Sequence, residues 1–240
     1  MKKIDWNNIR LVLILCVVVF LYAFTSGRNE QRLMTEANIE FADIENYITK
    51  EKVNNLLIQS YGAITGVRKV QLDLGNVEKK LAGNPMVDKA EVYATVDGKL
   101  KAIITQRKPV ARIFNGSKSW YIDYKGQEMP LSEHETARVL LVTGEIEKAD
   151  AKRLHKLLDY IYDDAFLKKD IVGLTVTPFG NMIFRSRGYD YDIVFGKPVN
   201  IDRKFKNYKA FLQDAAKDTL IKNYKTVNLK FTQQVVCTKK

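Results

Sequence analysis

His134 and His155, Cys16 and Cys237, and two close carboxylate pairs are the residues most open to a chemical role. His155 lies inside an amphipathic run beside its apolar stripe, where a helix-surface position explains it better than a ligand role. Asp163 and Asp164 are adjacent, and adjacent residues do not face each other on a helix; a solvated helix end is the plain account. Asp190 and Asp192 share a strand face and could hold a cation in principle. Tyr189, Tyr191, Ile193 and Phe195 alternate against them, so an outward polar face accounts for the pattern. Cys16 falls in an apolar run and Cys237 near the C-terminus, so they are not expected to pair, and two cysteines cannot build a disulfide framework. No H-E-x-x-H, C-x-x-C, P-loop, G-x-G-x-x-G or G-x-S-x-G pattern occurs. These residues predict no enzyme and no cofactor, metal or catalytic site. The formal charge of +11 in 240 residues comes from scattered lysines rather than a basic-aromatic platform, which argues against nucleic acid. Twelve tyrosines and eleven phenylalanines would suit a sugar-stacking module, but most lie on the apolar faces of expected elements and are assigned to the core.

A protein without chemistry of its own acts by position and by surface. Leu11–Gly27 carries no charge and would span about 26 Å as a helix, close to the thickness of a bilayer core. Lys2, Lys3 and Arg10 precede it, which predicts a cytoplasmic N-terminus and an extracytoplasmic bulk. Trp6 and Tyr22 stand where interfacial aromatics belong. The alternative is a signal peptide cleaved near Thr25-Ser26-Gly27, leaving a secreted or periplasmic binding module.

The stretch from Leu72 to Arg112 organises the rest of the chain. Leu74, Val77 and Leu81 make one face of a short helix, with Asn76 as candidate N-cap and Gly83 and Pro85 as the stop. Two alternating runs then flank Asp97-Gly98. Only an odd loop puts Ala90, Val92, Ala94 and Val96 on one face with Leu100, Ala102 and Ile104. A loop of Asp97–Lys99 is therefore expected, pairing Val96 with Leu100 and Val92 with Ile104. Upstream, Ile39, Phe41 and Ile44 read as a strand. Thr49 caps a helix whose stripe is Val53, Leu56, Leu57 and Tyr61, ended by Gly62 and Gly66.

Asn84-Pro85-Met86-Val87, a hairpin, and Arg107-Lys108-Pro109-Val110-Ala111, taken in that order, resemble a POTRA domain. More narrowly they resemble that of the bacterial cell-division family FtsQ (DivIB). Gln106 stands where the family usually has an acidic residue, which leaves any ion pair of that residue unsupported. Trp120, Asp123 and Gly126 resemble the start of the family's second domain. Ile193-Val194-Phe195-Gly196, then Lys204 or Lys206, resemble the strand and the lysine-bearing helix that precede the family's closing strand, and Asn228, Lys230 and Phe231 stand at that final motif.

The expected organisation is a cytoplasmic tail (1–10), a transmembrane helix (11–27), a juxtamembrane segment with the POTRA domain (28–112) and a β-rich C-terminal domain (113–240). The fold class is α+β: two helices on a small three-stranded sheet, then a mixed domain with an antiparallel-rich sheet. Val110–Phe114 is read as continuing the hairpin strand beyond Pro109. Helices are expected within Ala149–Asp163 (Leu154, Leu157, Leu158, Ile161) and from Ile201 to Ala215, with Asn200 as N-cap. Strands are expected at Trp120–Tyr124, Arg138–Val142, Ile171–Thr177, Met182–Arg185 and Tyr189–Phe195.

The resemblance implies a non-enzymatic single-pass protein of the inner membrane at the division septum. It would scaffold the divisome by holding small bitopic partners of the FtsB (DivIC) and FtsL type. Thr226–Val236 is read as the last strand, with nothing after it long enough to form another. Its open edge would bind a partner strand through Lys225, Asn228, Lys230, Phe231, Gln234 and Val235, with Lys222 adding charge.

Overall fold

The computed structural model describes residues 6–44, 47–62, 65–215, 217 and 219–240. Lys2 and Lys3, and the side chain of Tyr61, lie outside what it describes. The chain divides into two units, ending at Gln106 and starting at Arg107.

Helix α1 (Trp6–Glu30) is longer than the apolar run that seeds it. Leu11, Val12, Leu13, Ile14, Leu15, Phe20 and Phe24 are all exposed along it. Apolar side chains on every side of a helix are stable only against lipid or a large core. Residues Ile9–Glu30 meet the length and composition needed to cross a membrane, with no part buried in the protein. Thr25 donates its hydroxyl to the Leu21 carbonyl at 2.7 Å, so its polar atom is satisfied within the helix.

The rest of the first unit packs two helices on a sheet of order β1-β3-β2. Strand β1 (Glu36–Phe41) runs parallel to β3 (Lys99–Gln106), and β2 (Val87–Ala94) runs antiparallel to it. Ile44 lies beyond β1 and is exposed, so the strand is shorter than the alternation of Ile39, Phe41 and Ile44 predicts. Helix α2 (Lys50–Tyr61) starts at Thr49, whose hydroxyl accepts the Lys52 N–H. Helix α3 (Leu74–Ala82) is capped by Asp73 rather than Asn76. The Asp73 carboxylate accepts the Asn76 N–H at 3.0 Å, which places Asn76 at the third helical position. Val53, Leu57, Val77 and Leu81 meet Ile39, Ala90, Val92, Leu100, Ala102 and Ile104 in one core.

The hairpin has the expected odd loop, shifted by one residue. Val92 faces Ala102, Ala94 faces Leu100 and Ala90 faces Ile104. Thr95 N–H donates to the Lys99 carbonyl, so the loop is residues 96–98, not 97–99. The reason is Gly98, whose φ of +87° suits the last position of a three-residue loop, not the middle. A Cβ there would also sit 2.7 Å from the Leu33 carbonyl oxygen. Val96 consequently leaves the buried face. Side-chain parity survives because moving the loop by one residue moves each cross-strand partner by two, which keeps every strand residue on its own face. Ile104→Ala should therefore cost about 2–4 kcal/mol, as large core truncations do, whereas Lys101→Ala on the opposite face should stay within about 0.5 kcal/mol. Urea unfolding of both variants checks this, and equal losses would contradict the facing.

Two motifs have clear local causes. Around Pro85, the Asn84 side chain accepts the Met86 N–H at 2.9 Å and its carbonyl accepts the Val87 N–H, which turns the chain from α3 into β2. Gln106 is buried, and its Oε1 accepts the Ile48 N–H at 3.1 Å while its own N–H donates to Asp43. A neutral amide thus ties the β1–α2 connection to the end of β3.

In the second unit, nine strands form one sheet of order β12-β11-β10-β9-β8-β7-β4-β5-β6. These are β4 (Pro109–Asn115), β5 (Lys118–Asp123), β6 (Glu128–Met129), β7 (Leu140–Gly144), β8 (Ile171–Val176), β9 (Met182–Ser186), β10 (Asp192–Gly196), β11 (Tyr224–Asn228) and β12 (Val236–Lys239). The β7–β8, β4–β7 and β10–β11 pairs are parallel and the other five antiparallel. The segment after Pro109 does not prolong the hairpin: β4 pairs with β5 and β7 in this second sheet.

Helices α4 (Ala151–Asp163), α5 (Leu167–Asp170) and α6 (Ile201–Ala215) supply Leu154, Leu157, Leu158, Ile161, Leu167, Phe205 and Tyr208 to its core. Asp150 caps α4 through the Arg153 N–H. Asn200 precedes α6 at a φ of +53°, and its carbonyl accepts the Lys204 N–H. Asparagine tolerates this left-handed turn better than most residues.

Candidate binding site

The chemically eligible residues serve structure. Among the described residues no group of three His, Cys, Asp or Glu side chains is placed to hold a metal. Both cysteines are free. Asp163 accepts the Tyr124 hydroxyl at 3.0 Å. Asp164 accepts the Phe166 and Leu167 N–H groups and pairs with Lys209. Asp190 lies in a loop and pairs with Lys240, while Asp192 opens β10 opposite Arg185, so the two do not line one strand. His155 Nδ1 lies 3.1 Å from Asp159 Oδ2 under the turn at Gly126, and burial pushes the Asp159 carboxyl up.

Of the two candidate lysines, Lys204 is buried and donates to the Phe195 and Lys197 carbonyls at 2.8 and 2.9 Å. Burial holds its ammonium below the usual lysine range. Lys206 is exposed and pairs with Asp202 one turn away. The lysine of the Ile193–Gly196 motif is therefore a clamp on the end of β10. Beside it, Tyr191 donates to the Tyr208 hydroxyl (3.2 Å), since Tyr208 gives its own proton to Asp170 Oδ2 (2.7 Å). Ser186 donates to Asp170 Oδ1 at 2.7 Å.

Burial raises the Tyr191 and Tyr208 phenols, and burial with the Asp202 hydrogen bond pushes Tyr160 up to about 12. Free tyrosines titrate near pH 10, roughly. Above that pH the unfolded chain releases these protons and the folded chain keeps them, so the native state binds more protons and its stability falls as pH rises. Lys204 opposes this: with a depressed folded pKa its contribution rises with pH up to the ordinary lysine range. Melting temperature should drop above about pH 10, and Tyr208→Phe should flatten the drop. An equal slope in the variant would remove Tyr208 from the account.

Thr226–Val236 is not one edge strand. It splits into β11, a connection, and the start of β12, which returns and covers β11. Thr226 faces Thr238, Val227 faces Cys237 and Asn228 faces Val236. Lys225 is exposed on β11, and Asn228 accepts the Lys230 N–H with its side chain. Lys230, Phe231 and Gln234 are exposed in the connection, Phe231 at 54%. Val235 is half-buried against the core. Gln234 and Val235 also line a groove of about 450 Å³ with Phe211, Ala215 and Tyr224.

The open edge therefore belongs to Val236–Lys239, which begins at the last residue of the strand expected from the sequence. Val236, Cys237 and Thr238 are good strand formers, the one local signal for this edge. Lys240 N–H donates inward to the Asn223 carbonyl. Alternation along an antiparallel strand then turns the backbone groups of Cys237 and Lys239 outward. At the far edge of the same sheet, β6 has only two residues. In the first unit, the Val92 N–H on the outer side of β2 is already taken by Glu78 Oε1 at 2.8 Å.

A family model described as FtsQ/DivIB, C-terminal related, matches residues 108–238. One for a POTRA-like domain matches residues 34–105. No curated protein matches the chain. The first match covers more than half of the 240 residues and follows directly on the POTRA-like unit, so the chain belongs to the FtsQ/DivIB family of non-enzymatic division proteins.

Proposed function

We propose that this chain is a single-pass scaffold of the division machinery that works by holding other division proteins. Its N-terminus lies in the cytoplasm and both folded units lie outside, at the septum. The partners are small bitopic proteins of the FtsB (DivIC) and FtsL type. The observation that carries the reading is the open edge of β12 beside exposed Lys225, Lys230 and Phe231. A partner strand would add to the outward groups of Cys237 and Lys239, with acidic residues meeting the lysines.

The anchor is preferred over a cleaved leader because α1 runs unbroken through Thr25-Ser26-Gly27, and the Gln31 N–H donates to the Gly27 carbonyl. A signal-peptidase site needs an extended, accessible chain. Protease added to spheroplasts should degrade the region after Arg28, with intact mass retaining residues 1–27; full protection rules out the orientation. A pull-down with the intact extracytoplasmic region, read by mass spectrometry, should recover bitopic division proteins, and their absence removes the scaffold reading.

A further inference from the structure

Four segments of the first unit meet where α1 ends. Thr35 N–H donates to the Gly98 carbonyl at 2.9 Å, which ties the chain after α1 to the hairpin tip. Leu33 bridges Arg68, and Lys69 N–H donates to the Arg32 carbonyl at 3.0 Å. The short 3-10 turn Lys69–Gln71 reaches the helix itself, because Lys69 Nζ donates to Asn29 Oδ1 at 3.3 Å. No free linker separates the apolar helix from the folded unit: Arg32, Met34 and Thr35 are bonded to neighbouring segments as soon as α1 ends.

This end carries apolar side chains that none of the described residues covers. Val96 on the hairpin tip is 78% exposed, Val70 on the 3-10 turn 64% and Leu33 48%. Around them stand Arg28, Arg32, Arg68 and Lys69, against Glu30 and Asp97. Lys99, beside the tip, is paired with Glu36. The last apolar residue of α1 is Phe24, and Asn29 lies five residues on, about 7.5 Å at the helical rise. The headgroup layer on each side of a bilayer is roughly 5–7 Å deep. A side chain bonded to Asn29 therefore sits at the outer rim of the headgroup layer when α1 spans the membrane with Phe24 at the edge of the hydrocarbon.

We propose that this end of the POTRA-like unit docks on the membrane from which α1 emerges. Val70 and Val96 enter the interface, and Arg28, Arg32, Arg68 and Lys69 meet anionic lipid headgroups. Exposed aliphatic tips ringed by cations suit such a surface, where the apolar part leaves water while each cation keeps a phosphate. The dock would make the first unit a rigid extension of the span. It rests on the reading of α1 as a membrane span and holds for either orientation of the chain.

The test uses the full chain in lipid nanodiscs, once with phosphatidylcholine alone and once with added phosphatidylglycerol. Spin labels at Val70→Cys, Val96→Cys and, as an aqueous control, Glu91→Cys are placed in a Cys16→Ala, Cys237→Ser background. Power saturation with oxygen and a water-soluble nickel complex reads immersion. The nickel accessibility at 70 and 96 should be severalfold below that at 91. The difference should shrink without phosphatidylglycerol and in the Arg68→Glu, Lys69→Glu double variant. Water-like signals at 70 and 96 overturn the proposal, as does immersion indifferent to lipid charge and to the double variant. A label on native Cys16 separates the two failures: a lipid-immersed Cys16 beside aqueous 70 and 96 overturns only the dock, whereas an aqueous Cys16 overturns the span itself.

Discussion

Asp123→Ala should lower the stability of the second unit by about 3–5 kcal/mol, the range for breaking a buried ion pair by removing one partner. Asp123 is almost fully buried, and its Oδ2 lies 3.4 Å from Arg107 Nη1. Its Oδ1 accepts the Lys125 N–H at 3.0 Å and the Gln127 N–H at 2.7 Å, closing the turn between β5 and β6. One carboxylate thus fastens the start of the unit and shapes its first hairpin, and alanine leaves a half-buried guanidinium and two N–H groups without it. Asp123→Asn keeps an acceptor for the turn but loses the charge, so it should fall between the two. Urea unfolding of the part of the chain that follows α1, with intrinsic fluorescence from Trp120, measures all three proteins. A loss below about 1 kcal/mol in the alanine variant would place Asp123 among ordinary surface residues.

Lys239→Pro and Phe231→Ala should each weaken partner binding by about 2 kcal/mol or more, the usual threshold of an interface hot spot. They act differently. Proline removes the outward N–H of Lys239 at the open edge of β12, where an incoming strand would need it. Alanine removes an aromatic ring that is 54% exposed and therefore free to be buried by a partner. Neither change touches the buried core, so both variants should melt like the parent. The experiment is a titration with the extracytoplasmic segment of the bound partner, beside a thermal melt of each variant. Unchanged affinity in both, with parental melting, moves the interface away from β12. Weaker binding in Phe231→Ala alone would keep the β11–β12 connection and discard strand addition.

Elements whose signal is local are legible in the amino-acid order. A charge-free run must find lipid or a core, so α1 announces itself through composition. The 3.6-residue stripes of α3, α4 and α6 and the parity of the hairpin loop are legible because burial on one face constrains every residue in the element. The order of the short motifs is enough to suggest the family. Contacts between distant segments are decided by tertiary packing instead. Asp73 or Asn76 as cap and Lys204 or Lys206 as clamp are choices between near-equivalent residues, settled by which oxygen or amine reaches its partner. Placing Pro109–Asn115 in the second sheet requires knowing that β7, which begins only at Leu140, pairs beside it. The edge at β12 is hidden for the same reason. A four-residue strand has too little pattern to identify itself, and it is a strand because Tyr224–Asn228 offers it backbone partners after a seven-residue connection.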